Sequence, residues 1–274
     1  MLAVAPGATR TVLVVALPAR NADHALYCAA PVAWAVLPSG GYIPGMTEEP
    51  RIRGPASGAS LLPFPDRRAA GRLLAVRIND EVALHQWSER TVVLGLPRGG
   101  VAVAKQIAVV LGLPMDVIVT RKIGYPLQPE LGVGAIAEGL AQPVYDLALL
   151  DRLSLSPEAL EPVAALEQAE LARRVRVYRG GNPLPPVAGW CVIVVDDGLA
   201  TGVTARAALR SLRAERAGHL VLAVPVASPA AAFWLRSEAD QLVILATPSR
   251  FSSVGQWYVS FGQLTDADVL ALLA

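Results

Sequence analysis

Two adjacent carboxylates, Asp196 and Asp197, follow an apolar run and directly precede a loop of small residues. This loop, Gly198 to Thr204, reads GLATGVT. Its glycines let successive backbone NH groups converge on one anion, and Thr201 and Thr204 add hydroxyl donors. Carboxylates accept hydrogen bonds from adjacent sugar hydroxyls, whereas a loop that opens a helix suits a phosphate. The pattern therefore predicts a site for a sugar phosphate.

Other sites for nucleotides or nucleophilic catalysis fit the sequence less well. An apolar strand ending in two acids is also typical of nucleotide hydrolases, but the chain has no GxxxxGK[ST] loop for a triphosphate. Gly132, Gly134 and Ala137 satisfy the looser dinucleotide pattern GxGxxA, yet they follow a proline-bearing segment instead of a strand. We treat that match as coincidental. No GxSxG motif indicates a serine hydrolase.

The elements around the loop alternate between apolar runs and helical patterns, which predicts an α/β fold. Largely continuous apolar runs favour central parallel strands in an open, mainly parallel sheet with helices on both faces. The predicted strands are Val92 to Leu96, Asp116 to Thr120, Val192 to Val195, Leu220 to Val226 and Leu242 to Leu245. The predicted helices are Asp66 to Ile78, Val101 to Leu111, Pro162 to Tyr178, one after Thr204 and one beginning near Thr265.

Basic residues stand at two glycine-bearing turns. Arg98 lies in the turn Pro97 to Gly100, and Arg121 and Lys122 precede a Gly/Pro-bearing segment, Ile123 to Gly134. We expect that segment to be a long mobile loop, of the kind that covers active sites. A lone basic residue at a strand end is commonly a solvated charge, but the coincidence with these turns favours a functional role.

Composition excludes several classes of protein. The 274-residue chain has 24 basic and 23 acidic residues, so its formal charge of +1 provides no general field for a polyanion such as nucleic acid. Only Cys28 and Cys191 are present, which suits a reduced cytoplasmic protein. The apolar stretch Thr11 to Leu17 is too short to span a membrane. We therefore expect a cytoplasmic protein without membrane or nucleic-acid partners.

The N-terminal part lacks a sustained helical or alternating pattern. Residues 1–62 are rich in Ala, Pro and Gly, and we expect a disordered or irregular extension there. Met46 begins an ordinary-looking protein start, so the first 45 residues form a candidate upstream extension. The regular pattern predicts one domain over residues 63–274.

The segment Asp196 to Thr204, DDGLATGVT, resembles the phosphoribosyl pyrophosphate motif of the type I phosphoribosyltransferase family. The resemblance covers about residues 64–274. Over this range the chain is similar to a bacterial group of the family whose substrate is not evident from the pattern. Its other segments are FPDRRAAGRLLA at Phe64 to Ala75, LPRGG at Leu96 to Gly100, RKIG at Arg121 to Gly124, PELGVGAIAEG at Pro129 to Gly139 and WYVSFGQ at Trp257 to Gln263.

The resemblance implies the family fold, with a small hood or lid region, and a role for each segment. Asp196 and Asp197 would hold the ribose. The 5′-phosphate loop would comprise Gly198, Leu199, Ala200, Thr201, Gly202, Val203 and Thr204. Arg98, Gly99 and Gly100 would bind pyrophosphate, and Arg121 and Lys122 would neutralise it as it departs. Mg²⁺ would be held mainly through ligand oxygens and water, and the sequence leaves its protein ligands open.

The implied reaction is transfer of a 5-phosphoribosyl group from phosphoribosyl pyrophosphate to a nitrogenous base, as in nucleotide salvage. The hypoxanthine-guanine enzymes of the family place an aspartate where this chain has Ala200, so the base stays open. A non-catalytic sensor of phosphoribosyl pyrophosphate or of a nucleotide, built on the same fold, is the alternative. A homodimer is possible, since dimers are common in the family.

The aromatic residues near the C-terminus have two interpretations. Trp257, Tyr258 and Phe261 either contribute to a hood that stacks on a base or anchor the C-terminal segment in the core. We weigh the two interpretations about equally, with the structural one slightly ahead.

Overall fold

The computed structural model describes residues 62–82 and 90–274. The strands are β1 (Thr91–Gly95), β2 (Met115–Val117), β3 (Thr120–Tyr125), β4 (Gln128–Ala137), β5 (Val144–Tyr145), β6 (Cys191–Val195), β7 (His219–Val226) and β8 (Gln241–Ala246). The α-helices are α1 (Arg67–Glu81), α2 (Gly99–Leu111), α3 (Leu147–Arg152), α4 (Glu161–Arg179), α5 (Val203–Ala214), α6 (Pro229–Leu235) and α7 (Asp266–Leu273). The expectation for residues 1–62 falls almost wholly outside the described residues.

A five-stranded parallel sheet in the order β2-β1-β6-β7-β8 forms the centre of the domain. Every residue of β1 and of β6 is buried, which explains why these strands are largely apolar instead of alternating. Alternate side chains enter opposite layers: Leu94 and Val194 pack with α5 and α6, whereas Val93 and Ile193 pack with α1 and α2. The predicted α/β class, with a mainly parallel sheet covered on both faces, is confirmed.

The connections of β1 and β6 diverge at the carboxyl edge of this sheet. β1 pairs directly with β6, but the helix after β1, α2, covers one face and the helix after β6, α5, covers the other. This divergence opens a crevice at the strand ends, where open α/β sheets bind their ligands. Two segments begin there: Asp196 and Asp197, hereafter the acid pair, and Pro97 to Gly100, hereafter the PRGG turn.

A smaller antiparallel sheet, β3-β4-β5, replaces the predicted mobile loop over Ile123 to Gly134. That prediction was wrong, because glycine in this segment permits close strand approach and not disorder. A Cβ on Gly124 would lie 2.4 Å from the carbonyl oxygen of Pro129, at a shift in strand register. Buried Ile123 and Val133 hold the hairpin against α4, while Ala135 packs toward α5.

Element boundaries mostly follow the predicted patterns. Asp66 caps α1, with its side chain accepting from the amide of Ala69, and Thr265 and Asp268 form a reciprocal capping box at α7. The predicted strand over Asp116 to Thr120 is instead divided, since β2 ends at Val117 and β3 begins at Thr120.

Within residues 62–82 and 90–274, no helix is long and apolar enough to cross a membrane.

Candidate active site

The acid pair begins where β6 leaves the sheet. The amide of Asp197 donates to Asp196 Oδ1 at 2.9 Å, so the two carboxylates are held in a fixed relation. Burial raises the pKa of Asp196 well above the usual aspartate range, and the neighbouring carboxylate of Asp197 adds to this rise. Burial also raises the pKa of Asp197, although Arg67 opposes that effect. The pair therefore holds a proton more readily than two exposed aspartates would.

The PRGG turn lies directly against the acid pair. A Cβ on Gly99 would lie 1.8 Å from Asp197 Oδ2, and one on Gly100 would lie 2.5 Å from the carbonyl oxygen of Val195. Only glycine leaves room for these approaches. Arg98, half-buried, is the N-cap residue of α2, and the Pro97–Arg98 peptide bond is cis. The structure thus joins two segments that lie about a hundred residues apart in sequence.

The loop from Gly198 to Thr204 is anchored at its first half. The amide of Leu199 donates to the carbonyl of Val226 at 2.9 Å, and the hydroxyl of Ser228 donates to the carbonyl of Ala200 at 2.6 Å. Ala200 and Thr201 remain exposed, and Gly202 takes a left-handed conformation (φ 75°) as the N-cap of α5. The rim of the loop is therefore open at the positive end of a twelve-residue helix, which suits an anion.

The two cations of β3 lie on opposite faces of the smaller sheet, because successive side chains of a strand alternate. Arg121 Nε donates to Glu167 Oε2 of α4 at 2.6 Å. The Cδ of Lys122 would lie 2.9 Å from a Cβ on Gly132, which in turn would lie 3.4 Å from Cγ1 of Val203. Lys122 is thus on the side of the loop 198–204, and Arg121 faces α4.

Arg67, at the start of α1, also reaches the acid pair, although its local sequence indicated no chemistry. Its Nε donates to Asp197 Oδ2 at 2.7 Å, and its Nη1 donates to the carbonyl of Gly262 at 2.7 Å. The guanidinium lies 3.8 Å from the ring centroid of Phe261. The only available signal was its position in FPDRR, one of the segments that carry the family resemblance.

The C-terminal aromatic residues hold this arrangement together. Tyr258 is buried, its hydroxyl donates to the carbonyl of Asp197 at 2.6 Å, and its ring stacks on Phe261 at a centroid distance of 5.0 Å. Phe64 pairs with the same segment, accepting from the amide of Val259 at 2.8 Å. Tyr258 therefore anchors the C-terminal segment to the acid pair, as the structural interpretation predicts.

The donor set suits a hard cation only in combination with a ligand. Mg²⁺ prefers six oxygen ligands, and the two carboxylates of the acid pair are of that type. Asp197 is already engaged by Arg67, and the described ranges contain no group of three or more His, Cys, Asp or Glu residues able to hold a metal. The residues therefore fit an ion that is coordinated mainly by phosphate, ribose and water oxygens.

Comparison with known proteins agrees with this geometry. A model of the phosphoribosyl transferase domain matches residues 58–245. Proteins of two Mycobacterium tuberculosis strains, CDC 1551 and H37Rv, both named "Putative phosphoribosyl transferase", are 43% identical over 211 residues, which is 77% of this chain and 46% of theirs. The chain thus spans about half the length of these curated relatives.

A solved structure extends the comparison. A crystal structure of a Thermus thermophilus protein is 42% identical, with a TM-score of 0.62, and the match covers 77% of this chain and 97% of that one. The domain match also covers most of the described residues. The chain belongs to the phosphoribosyl transferase family.

Proposed function

We propose that the chain transfers a 5-phosphoribosyl group from phosphoribosyl pyrophosphate to a nitrogen of a base and releases pyrophosphate, with Mg²⁺ as cofactor. The observation that carries the proposal is the contact between Gly99 and Asp197, which places a glycine turn beside an acid pair at one crevice. A phosphorylated sugar with a second anionic group needs both elements within one ligand's length.

Each part of the site has a role in this proposal. Asp196 and Asp197 accept hydrogen bonds from the ribose hydroxyls, and the loop 198–204 holds the 5′-phosphate on its backbone NH groups and on the hydroxyls of Thr201 and Thr204. The backbone of Gly99 and Gly100, with the guanidinium of Arg98, receives the pyrophosphate. Lys122 approaches from the smaller sheet and neutralises the charge that grows there.

In the reaction, the C1′–O bond to pyrophosphate breaks, and its electron pair leaves with pyrophosphate. The lone pair of the base nitrogen forms the new C1′–N bond, and a proton leaves that nitrogen for solvent or a basic group. Positive charge develops on the ribose ring beside the carboxylates, while negative charge grows at the PRGG turn. Both groups therefore stabilise charge where it appears in the transition state.

The metal has a limited protein environment in this proposal. Bound Mg²⁺ would neutralise pyrophosphate oxygens and so assist departure of the leaving group. The acid pair would hold it through the ligand and through water, because Asp197 is shared with Arg67. The residues around it then keep the ribose oriented and exclude bulk water from the crevice.

The acceptor is a nitrogenous base whose identity the site leaves open. Ala200 presents no carboxylate, so the proton on the base is not moved by a side chain at that position. We further propose a cytoplasmic role in nucleotide salvage, as expected for a reduced chain with a base as its second substrate.

A second candidate, a non-catalytic sensor of phosphoribosyl pyrophosphate or of a nucleotide, is favoured by one observation. Arg121, expected at the departing pyrophosphate, is instead paired with Glu167 on the other face of the smaller sheet. A site that binds the ligand but lacks one leaving-group cation would hold phosphoribosyl pyrophosphate without turnover. The two functions differ in whether pyrophosphate is released.

A screen separates these functions. The full chain is incubated with phosphoribosyl pyrophosphate, Mg²⁺ and each common purine or pyrimidine base, and pyrophosphate release is measured. Release with one base supports transfer. Calorimetric binding without release for any base supports the sensor. Absence of both binding and release, while the fold is intact by circular dichroism, contradicts both.

A further inference from the structure

Arg67 occupies a position that the roles proposed above do not use. It lies at the start of α1, nearly buried, with 12% of its side chain exposed, and it forms an ion pair with Asp197. Its Nε would also lie 3.2 Å from a Cβ on Gly99. The guanidinium is thus adjacent to both the carboxylate of Asp197 and the PRGG turn.

Three contacts define the orientation of this guanidinium. Nε bonds Asp197, Nη1 bonds the carbonyl of Gly262, and the planar face rests on the ring of Phe261. A planar, rigid donor set of this kind loses little conformational freedom on binding, unlike a lysine ammonium. These contacts hold the Arg67 guanidinium in a defined orientation, and its Nε in turn holds Asp197 Oδ2.

The same cluster connects the acid pair to the C-terminal segment. The hydroxyl of Tyr258 donates to the backbone carbonyl of Asp197, and its ring stacks on Phe261. The ring of Phe261 in turn lies against the guanidinium of Arg67. Asp197 is consequently held at its carboxylate by Arg67 and at its backbone by Tyr258. Without the Arg67 contact, the carboxylate could rotate about its side-chain bonds, and the Arg67 charge would no longer offset its repulsion with Asp196.

We propose that Arg67 is a positioning residue: it holds the carboxylate of Asp197 in the orientation that receives the ribose diol and couples that orientation to the segment from Tyr258 to Gly262. The inference rests on the proposed function, because it assigns a ligand group to Asp197. Arg67 acts through Asp197, and the 5′-phosphate is assigned to the loop 198–204 in the proposed function.

Two ligands distinguish this role from a general structural one. Ribose 5-phosphate needs both the acid pair and the loop, whereas inorganic phosphate needs the loop alone. Affinities of both are measured by calorimetry on the full chain. Arg67→Gln should weaken the binding of ribose 5-phosphate about tenfold or more, as expected for loss of a charge-assisted hydrogen bond. It should leave the affinity for inorganic phosphate unchanged.

Graded variants of the cluster sharpen the test. Arg67→Lys keeps the charge but not the planar contacts and should restore part of the affinity that Arg67→Gln loses. Phe261→Leu removes the aromatic face under the Arg67 guanidinium and should weaken the binding of ribose 5-phosphate by about threefold. Arg77→Gln, on an exposed turn of the same helix, is the matched control and should change neither affinity.

A double-mutant cycle tests the route through Asp197. In an Asp197→Ala background, which removes the group that accepts from Arg67 Nε, Arg67→Gln should change ribose 5-phosphate affinity by less than about threefold. Equal losses in both backgrounds, or a parallel loss of phosphate affinity, would overturn the positioning role. Failure of the unmutated chain to bind ribose 5-phosphate would remove the proposed function itself, and this inference with it.

Discussion

Gly99 and Asp197 approach so closely that a Cβ on the glycine would lie 1.8 Å from the Oδ2 atom of the aspartate. The contact joins the start of α2 to the end of β6, across the crevice between the two faces of the central sheet. No other residue type can replace Gly99 without moving the turn, the carboxylate or both. The distance between the groups proposed to hold ribose and pyrophosphate is therefore set by the approach of the Gly99 backbone to the Asp197 carboxylate.

Gly99→Ala should separate these two groups and lower kcat/KM for pyrophosphate release by about 100-fold, since misplacement by about 1 Å can cost that much. The matched control is Gly112→Ala at the opposite end of α2, where a Cβ meets no atom but the left-handed backbone (φ 64°) is strained. The control should lose stability and keep activity. Equal kcat/KM for both variants would contradict the role of the contact.

Asp197→Asn should lower kcat/KM by the equivalent of about 2 to 4 kcal/mol, because it removes one preorganised charge beside the developing positive charge. The substitution preserves size and leaves an Oδ atom available to accept from Arg67 Nε. Steady-state rates with the base identified by the screen provide the measurement. Unchanged turnover would remove Asp197 from the mechanism.

Asp196→Asn should stabilise the free protein at neutral pH while abolishing ligand binding. Burial raises the pKa of Asp196 in the folded state, so the stability linked to its protonated form is present below the unfolded pKa of about 3.9 and is lost as pH rises through the folded value. The neutral amide avoids that loss. Its advantage in unfolding free energy should therefore grow as pH rises from the unfolded pKa toward the folded one.

The pKa of Asp266 shifts in the opposite direction from that of Asp196. Its pKa is lowered, first by the hydrogen bond from Tyr178 and then by Arg173, so its contribution to stability is present above the unfolded pKa and lost as pH falls. Asp266→Asn should therefore destabilise at neutral pH, with a difference from the unmutated protein that shrinks in acid. Denaturant titrations at several pH values test both variants, and parallel pH curves for Asp196→Asn and the unmutated protein would refute the linkage.

Lys122→Met should lower kcat/KM by at least about tenfold, whereas Arg121→Gln should stay within about threefold. The reason is their placement on opposite faces of β3, with Lys122 toward the phosphate loop and Arg121 in an ion pair with Glu167. Both variants are compared by pyrophosphate release under saturating base. A larger loss for Arg121→Gln would show that its side chain turns to the leaving group during the reaction.

Glu138→Gln should destabilise the fold by about 3 kcal/mol or more, because it leaves the buried guanidinium of Arg179 without its counter-charge. The two side chains are 9% and 6% exposed, and Arg179 Nη1 also donates to the carbonyl of Val117 at 3.0 Å. Glu81→Gln, which breaks the exposed pair with Arg77, is the control and should cost less than about 1 kcal/mol. Similar denaturation midpoints for the two variants would contradict the prediction.

The sequence alone determined the parallel core and the glycine-bearing loop after the acid pair, since both depend on local patterns. Continuous apolar runs identified β1, β6 and β7, and the acids and small residues after β6 predicted the loop that we propose to hold a phosphate. The capped starts of α1 and α7 were likewise readable from Asp66 and Thr265. Each of these features is decided within about a dozen residues of chain.

Only the tertiary structure decided which distant groups meet. The hairpin of β3 and β4 is held by packing between α4 and α5, which overrode the loop tendency of its glycines and prolines. Because successive side chains of a strand point to opposite faces, Arg121 and Lys122 lie on different sides of the smaller sheet. Their adjacency in the sequence did not indicate which of them faces the site. Arg67 reached Asp197 across 130 residues because α1 and the C-terminal segment pack at the same edge of the sheet, and no local pattern encodes that meeting.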